Sequence, residues 1–321
     1  WNKPHGLLHW FENELKYPSN STRHDDDIII ILDPDMLLLK PITNDFGDFE
    51  DERFWIGGRR SERVSHTVPF AQQYGFGNSW LTSLKGKLSD VVGKDSPALK
   101  VTLKEANTYY PAGPPYLATG KDMFALATHW VKFLPKVHRL FPEFMAEMHA
   151  YSVAAAHLEM PHQLTKAFMI SDIAADRFRF LDDVSRAEAC NANIPASELP
   201  FVLHYCQRYA IGRWFFSKYK LHENVFDCEA ELLREPPLNV AELYDWYIFP
   251  NGIEKEDYSA PGRQQNLVKN GWMMCNIIFS LNEAATQMKK THCNEANYNK
   301  TFHFHKPDAF EAMLQDFKRP F

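Results

Sequence analysis

The chain has 321 residues, of which 45% are hydrophobic and 24% charged. That excludes an intrinsically disordered protein, and 14 Gly with 20 Pro are too few for a fibrous or low-complexity one. Thirty-five basic against 41 acidic side chains give a net charge of -6, which is not the basic footprint of a nucleic-acid or anionic-membrane binder.

A chain of this length makes one large or two closely packed globular domains. Residues 5–15 have the pattern of an amphipathic helix, and a polar loop (YPSNSTRHDDD) leads from it into the apolar run Ile28–Leu32. Five aliphatic residues bounded by turn formers predict a strand buried on both faces of a mostly parallel sheet. Residues 53–58 (RFWIGG) predict another short strand, and 69–92 a helical stretch interrupted by Gly75, Gly77 and Gly86. The segment 109–120 (YYPAGPPYLATG) reads as a Pro/Gly loop, and helices are expected at about 121–133 and 142–158. Further on come strands at 168–170 and 201–206, a loop-rich region over 236–270 and a helix at about 271–289. Strands alternating with helices predict an α/β fold. No purely apolar run exceeds five residues, far short of the roughly 20 that a membrane-spanning helix needs.

Five cysteines (Cys190, Cys206, Cys228, Cys275, Cys293) lie in the C-terminal half without CxxC spacing, which argues against a zinc site. The acceptor sequons at Asn20 and Asn299 permit a secretory location, where an odd cysteine count leaves at least one thiol unpaired within the chain. Aromatic residues make up 14% of the sequence, enough to line a groove as well as fill a core.

The strongest local chemical signal is Asp33-Pro34-Asp35 at the carboxyl end of the IIIIL strand, where open α/β sheets place their ligands. The proline forces a turn, so both carboxylates can converge on one hard divalent cation that also holds substrate phosphates. A strand-terminating Asp-Pro turn is the plain alternative. Glu147 lies on a predicted helix with Phe144 and Tyr151 on the same face, a setting that suits either a general base or a carboxylate paired to hold structure. Tyr109, Tyr110 and Tyr116 could stack on a sugar or a Pro-rich peptide, or simply pin their loop to the core. The HFH of residues 303–305 has the look of a metal pair but reads as solvated tail. Spacing promotes no role for Asp122, Asp172 or Asp176.

The ordered set NKPHGLLHW (2–10), ILDPDMLLLKPI (31–42), EMHAYSVAAA (147–156), LHY (203–205), IGRWFFSK (211–218) and MCNIIFSLNEAATQM (274–288) resembles the plant and algal hydroxyproline O-arabinosyltransferase and peptidyl serine α-galactosyltransferase group. The resemblance implies a GT-A-like fold, with a mixed, mostly parallel sheet flanked by helices and a loop-rich C-terminal extension. Residues 1–235 would be the catalytic domain and 236–321 the extension. It further implies a Mn²⁺ (or Mg²⁺) ion, a UDP-linked sugar donor, a Ser- or hydroxyproline-containing acceptor, and residence in the secretory lumen (Golgi or ER), with any membrane anchor outside this chain. Family members carry a further segment ahead of the NKP motif that cradles the donor base, and this segment is expected to be absent from residues 1–235.

Residue by residue, the resemblance casts Asp33, Asp35 and His204 as metal ligands and Glu147 as the catalytic carboxylate. Lys3, Asp33, Trp214 and Lys218 would contact the donor, and Arg213 stands where the family pattern varies. The plain alternative for His204 is a hydrogen-bonded core histidine, and for Lys3 a surface lysine. Trp10, Tyr151, Tyr205 and Trp214 are expected as cleft walls. The galactosyl branch is favoured slightly over the arabinosyl one. A catalytically silent glycan- or peptide-binding module and a metal-dependent hydrolase are the rival readings.

Overall fold

A computed structural model describes residues 2–19, 23–50, 54–84, 86–174, 178–221, 227–248, 255–257 and 264–294, with 247–248 and 255–257 as backbone only. The two sequons, Asp176, residues 249–254 and 258–263 of the loop-rich region, and the HFH of residues 303–305 lie outside the described residues.

In chain order the elements are α1 (Asn2–Asn13), β1 (Ile28–Ile31), β2 (Met36–Leu38), β3 (Phe70–Gln73), α2 (Ser79–Thr82), α3 (Leu88–Val92), α4 (Leu103–Tyr109), β4 (Ala112–Thr119), α5 (Gly120–Leu140) and α6 (Ala146–His157). They continue with β5 (Gln163–Thr165), β6 (Met169–Ile170), β7 (Val202–His204), β8 (Arg208–Ile211), β9 (Trp214–Ser217), α7 (Val240–Leu243), β10 (Trp246–Ile248), β11 (Lys255–Asp257) and α8 (Gln264–His292). The α/β class is the expected one. The chain forms two compact units, residues 1–33 with 42–169 and residues 34–41 with 170–321.

The first unit is built on the sheet β1-β4-β3-β5. Its strand pairs differ from the mostly parallel expectation: β1–β4 and β3–β4 are antiparallel, and β3–β5 is parallel. The IIII strand is correspondingly an edge strand, with Ile31 buried and Ile30 37% exposed, and is not covered on both faces. The centre of the sheet is β4, the segment that reads as a loop because of Pro114 and Pro115, and all eight of its residues are buried. Proline cannot donate to a ladder, which normally confines it to edges or bulges. Here the pairing with β3 skips from Tyr116 to Gly113, and β1 ends opposite Tyr116. Both prolines therefore fall where neither neighbour asks for an N–H.

Thr119 ends β4 and caps α5, its hydroxyl accepting from the Asp122 amide. Apolar residues recur along α5 at helical spacing (Met123, Leu126, Trp130, Phe133, Val137) and all are buried. Tyr116 of β4, Trp130 of α5 and Tyr151 of α6 form one aromatic cluster, with centroids 4.1 Å apart for Tyr116–Tyr151 and 4.9 Å for Trp130–Tyr151. Each such side chain contributes about 1.5–3 kcal/mol through burial. Tyr116 and Tyr151 are thus core residues, not cleft walls or sugar platforms. On the other side, Phe11 of α1 packs edge-on against Tyr17 and beside Phe124 of α5, which seats α1.

The second unit contains the sheet β2-β7-β6 and the hairpin β8–β9, turned at Gly212 with φ +54°. Its core joins Leu203, Tyr209, Ile211 and Phe216 to Leu267, Trp272, Met273 and Ile277 of α8. Disulfides Cys190–Cys275 and Cys228–Cys293 cross-link this unit and leave Cys206 as a thiol. Among the described residues no helix is long and apolar enough to cross a membrane.

His162 in the first unit is fully buried and holds the aromatic cluster from below. A carbonyl can only accept, so Nδ1–H donates to Met160 O at 3.0 Å and Nε2 accepts from the Tyr151 hydroxyl at 2.8 Å. Burial is the main cause that lowers its pKa from 6.5 to about 3. Between those values the unfolded chain binds the proton and the folded one does not, so stability rises with pH across the window and is lost as pH falls from 6.5 toward 3. We expect native protein to lose about 2 kcal/mol more than His162→Gln on going from pH 7 to pH 5, read from urea unfolding midpoints. Equal losses would show that His162 does not titrate in this way.

Candidate active site

The site residues expected from the sequence fall into two ionic clusters, one in each unit. In the first, Lys3 stands in the opening turn of α1, where the helix dipole disfavours a cation. Carboxylates offset this: Lys3 Nζ lies 2.5 Å from Asp33 Oδ1 and 3.2 Å from Glu147 Oε1. Glu147 occupies the opening turn of α6, where the dipole favours negative charge, and its carbonyl accepts from Trp130 Nε1 at 2.8 Å. About a fifth to a quarter of each of the three charged side chains is exposed, so a ligand can reach them. The apolar helix face expected around Glu147 differs from what forms. Phe144 precedes the helix, since α6 begins at Ala146, and is 92% exposed, while Tyr151 is buried.

In the second unit, β2 pairs antiparallel with β7 so that Met36 faces His204. The Tyr205 amide donates to Asp35 O at 3.0 Å and its hydroxyl to Pro34 O at 3.4 Å, which fixes the chain just after the Asp33–Pro34 bond. Asp35 Oδ1 then lies 3.2 Å from His204 Nε2, and Oδ2 lies 2.5 Å from Lys218 Nζ. Lys218 reaches it from the end of β9.

The charges of this cluster are coupled. Burial opposes ionisation of Asp35, yet the hydrogen bonds and positive charges of His204 and Lys218 outweigh it and hold the carboxyl well below the usual range. Burial likewise opposes the His204 imidazolium, and the Asp35 carboxylate with the Cys206 thiol overcomes it, holding the pKa up at about 9. Lys218 is also raised, with burial opposing and Asp35 favouring the ammonium. At neutral pH the cluster is one carboxylate between two cations. His204 can offer Nε2 to a metal only after giving up that proton, so ligation there is coupled to proton release.

The other expected residues are placed as follows. Trp214 begins β9 half-buried, with the Arg234 guanidinium 4.8 Å over its ring, and Arg213 is exposed in the β8–β9 turn. Trp10 is 38% exposed on α1. Asp122 is buried and accepts from the Thr67 amide at 2.7 Å, a structural role. Asp172 caps the Ala174 amide at 2.8 Å. Residues that the sequence did not single out are Cys206, whose sulfur lies 2.9 Å from Ser171 Oγ and beside His204, and the bracing contribution of Tyr205. Their adjacency to His204 in FVLHYC was the available signal.

The chain is 26% identical over 243 residues, 74% of its length, to peptidyl serine alpha-galactosyltransferase from Arabidopsis thaliana, and it spans 25% of that protein's length. This similarity bears out the resemblance drawn from the motifs. No protein-family model and no solved structure matches the chain.

The coupling makes a direct prediction for metal-free protein. The His204 ring resonances should titrate near pH 9 in the native chain, whereas in Asp35→Asn burial acts unopposed by the carboxylate and the pKa should fall by more than one unit. A His204 that titrates alike in both proteins would dissolve the ion pair.

Proposed function

We propose that this chain carries the catalytic portion of a metal-dependent glycosyltransferase of GT-A-like fold. It moves a sugar, galactose before arabinose, from a UDP-linked donor to a serine or hydroxyproline hydroxyl of a peptide or protein. The observation that carries the reading is the similarity to a peptidyl serine galactosyltransferase over three quarters of the chain. In this reading residues 1–235 hold the catalytic groups and 236–321 extend them. Two disulfides in the second unit support a secretory lumen as the working compartment, because thiols stay reduced in the cytosol.

The donor set suits a divalent ion of the Mn²⁺ or Mg²⁺ kind. Asp35 and His204 already lie 3.2 Å apart, and Asp33 is two residues from Asp35, within about 7 Å along the backbone. Such an ion, when bound to Asp33, Asp35 and His204, supplies positive charge that stabilises a departing diphosphate. The chain's own cations support the same end: Lys218 leaves Asp35 for a phosphate oxygen, and Lys3 does so from Asp33. Trp214, four residues before Lys218, offers its ring to the donor. Glu147, released from Lys3, accepts the proton of the acceptor hydroxyl in an inverting transfer, or supports an oxocarbenium-like transition state in a retaining one.

Thermal unfolding with Mn²⁺, UDP and both together tests this. A ligand present at 100 times its Kd adds about 2.7 kcal/mol of stability, so UDP should raise Tm in the presence of Mn²⁺ and far less without it. Asp35→Ala should erase the Mn²⁺ dependence. Glu147→Gln should keep nucleotide binding and lower sugar transfer to peptide by about 10²-fold or more. No Mn²⁺-dependent shift with UDP would overturn the transferase reading, and a silent binding module would show the shift with no transfer to either peptide.

A further inference from the structure

The first unit has a concavity, a pocket of about 430 Å³ between the Pro97–Lys100 turn, α4 and the C-terminal end of α6. That volume is in the range of small-ligand sites. The proposed catalytic groups do not line it.

Several of its polar groups are held in place with bonding capacity left for a ligand. Gly57, with φ +76°, brings the following residues against α4, where any Cβ would lie 2.4 Å from Thr108 Cγ2. This close approach puts the Arg60 guanidinium 4.7 Å over the Tyr109 ring, and the Arg60 amide is fixed by a bond to Gln163 Oε1 at 2.9 Å. A stacked guanidinium keeps its N–H fork free for a planar anion. Neither Arg60 nor Lys100 makes an ion pair among the described residues. Tyr110 is 6% exposed as a residue, and its hydroxyl, which is not sealed from solvent, has no hydrogen-bond partner among them. Burial, then Glu105, push that hydroxyl's pKa up to about 12, so it remains a neutral donor.

The carboxylates narrow the ligand. Glu105 is already bonded to the Thr102 amide and hydroxyl at 2.9 and 2.8 Å. Glu159 stands at the rim at φ +54° with its carboxylate open to accept. Two cations and two carboxylates balance, and the glutamates repel a doubly charged phosphate about twice as strongly as a singly charged carboxylate. The remaining lining is apolar, chiefly Pro97, Val101 and Pro161, which suits the C–H face of a sugar ring.

We propose that this pocket binds an acidic sugar, a hexuronic acid residue. Its carboxylate lies on Arg60 and Lys100, its hydroxyls reach Glu159 and Tyr110, and its ring rests on the apolar wall. The sugar is either free or the end of a glycan chain. The site does not depend on the transferase reading, since the groups involved are separate.

Isothermal titration with D-glucuronate, D-glucose, inorganic phosphate, N-acetylglutamate amide and a disaccharide ending in glucuronate tests it. D-glucuronate should bind the native chain at least about tenfold more tightly than the other monomeric probes, because charge-assisted bonds to the carboxylate are strong. Tighter binding of the disaccharide identifies the glycan end as the source, and equal binding identifies the free sugar. Arg60→Ala and Tyr110→Phe should each weaken glucuronate binding by about tenfold, and Lys100→Ala gives an exposed third variant. Asp35→Ala should bind glucuronate like the native chain, whatever becomes of its nucleotide binding. The proposal is overturned if glucuronate does not bind, if glucose, phosphate or N-acetylglutamate amide matches it, or if Arg60→Ala and Tyr110→Phe bind it undiminished.

Discussion

The charge on Asp35 has to be compensated, and its compensation organises the second unit around the Asp33-Pro34-Asp35 turn. A carboxylate that is mostly out of water is tolerated only with partners. Both partners come from elements that follow much later in the sequence, His204 on β7 and Lys218 after β9. For the histidine to arrive, β2 must pair with β7 in the register that sets Met36 opposite His204. For the lysine to arrive, the β8–β9 hairpin must turn at a residue that accepts positive φ, and Gly212 supplies it. A Cβ at Gly212 would also lie 2.3 Å from the Tyr244 ring, so the glycine is required twice over. Packing of α8 against the hairpin, stapled by Cys190–Cys275, completes the support.

The long helices were the readily legible part of the fold, whereas the helical stretch expected over 69–92 holds the strand β3 and only the short helices α2 and α3. The apolar period along α5 and the Thr119–Asp122 start are written in local sequence, and α6 follows from the long low-polarity run after Glu147. The α8 helix extends further toward its N-terminus than its periodicity suggests, to Gln264, because Asn270 and Gly271 sit inside it. Both have tertiary reasons: Asn270 Oδ1 accepts from the Ala210 amide at 3.1 Å, and Gly271 lies close against Ala189 and Ile211. Residues that weaken a helix locally are kept there because a neighbour needs them.

Strands were less legible, for a reason best seen in β4. Two adjacent prolines argue against a central strand, and that argument is sound for an unbroken ladder. It fails when the ladder is broken opposite them, which depends on the register of β3 and on where β1 ends, neither of which is a local property. The same reasoning explains β1. Its four isoleucines predict burial on both faces, but a strand's place in the sheet is decided by pairing, and an edge position leaves Ile30 partly in solvent. The candidate site was legible as residue types and order. Its ion pairs were not, because Lys3–Glu147 and Asp35–Lys218 join residues more than 140 positions apart.

Those ion pairs also bear on how the proposed reaction can be electrostatically cheap. Each carboxylate assigned to the divalent ion already has a lysine on it, Asp33 with Lys3 and Asp35 with Lys218. A divalent ion held by these carboxylates would supply a cation for them, and a nucleotide diphosphate would supply anions for the lysines. The pairs would then exchange partners without leaving a charge of either pair uncompensated. Lys3 links this exchange to the acceptor side, since the ammonium that leaves Asp33 for a phosphate also leaves Glu147. Donor binding would thereby prepare Glu147 for the acceptor hydroxyl, which places transfer after donor binding and restrains Glu147 until the donor is present.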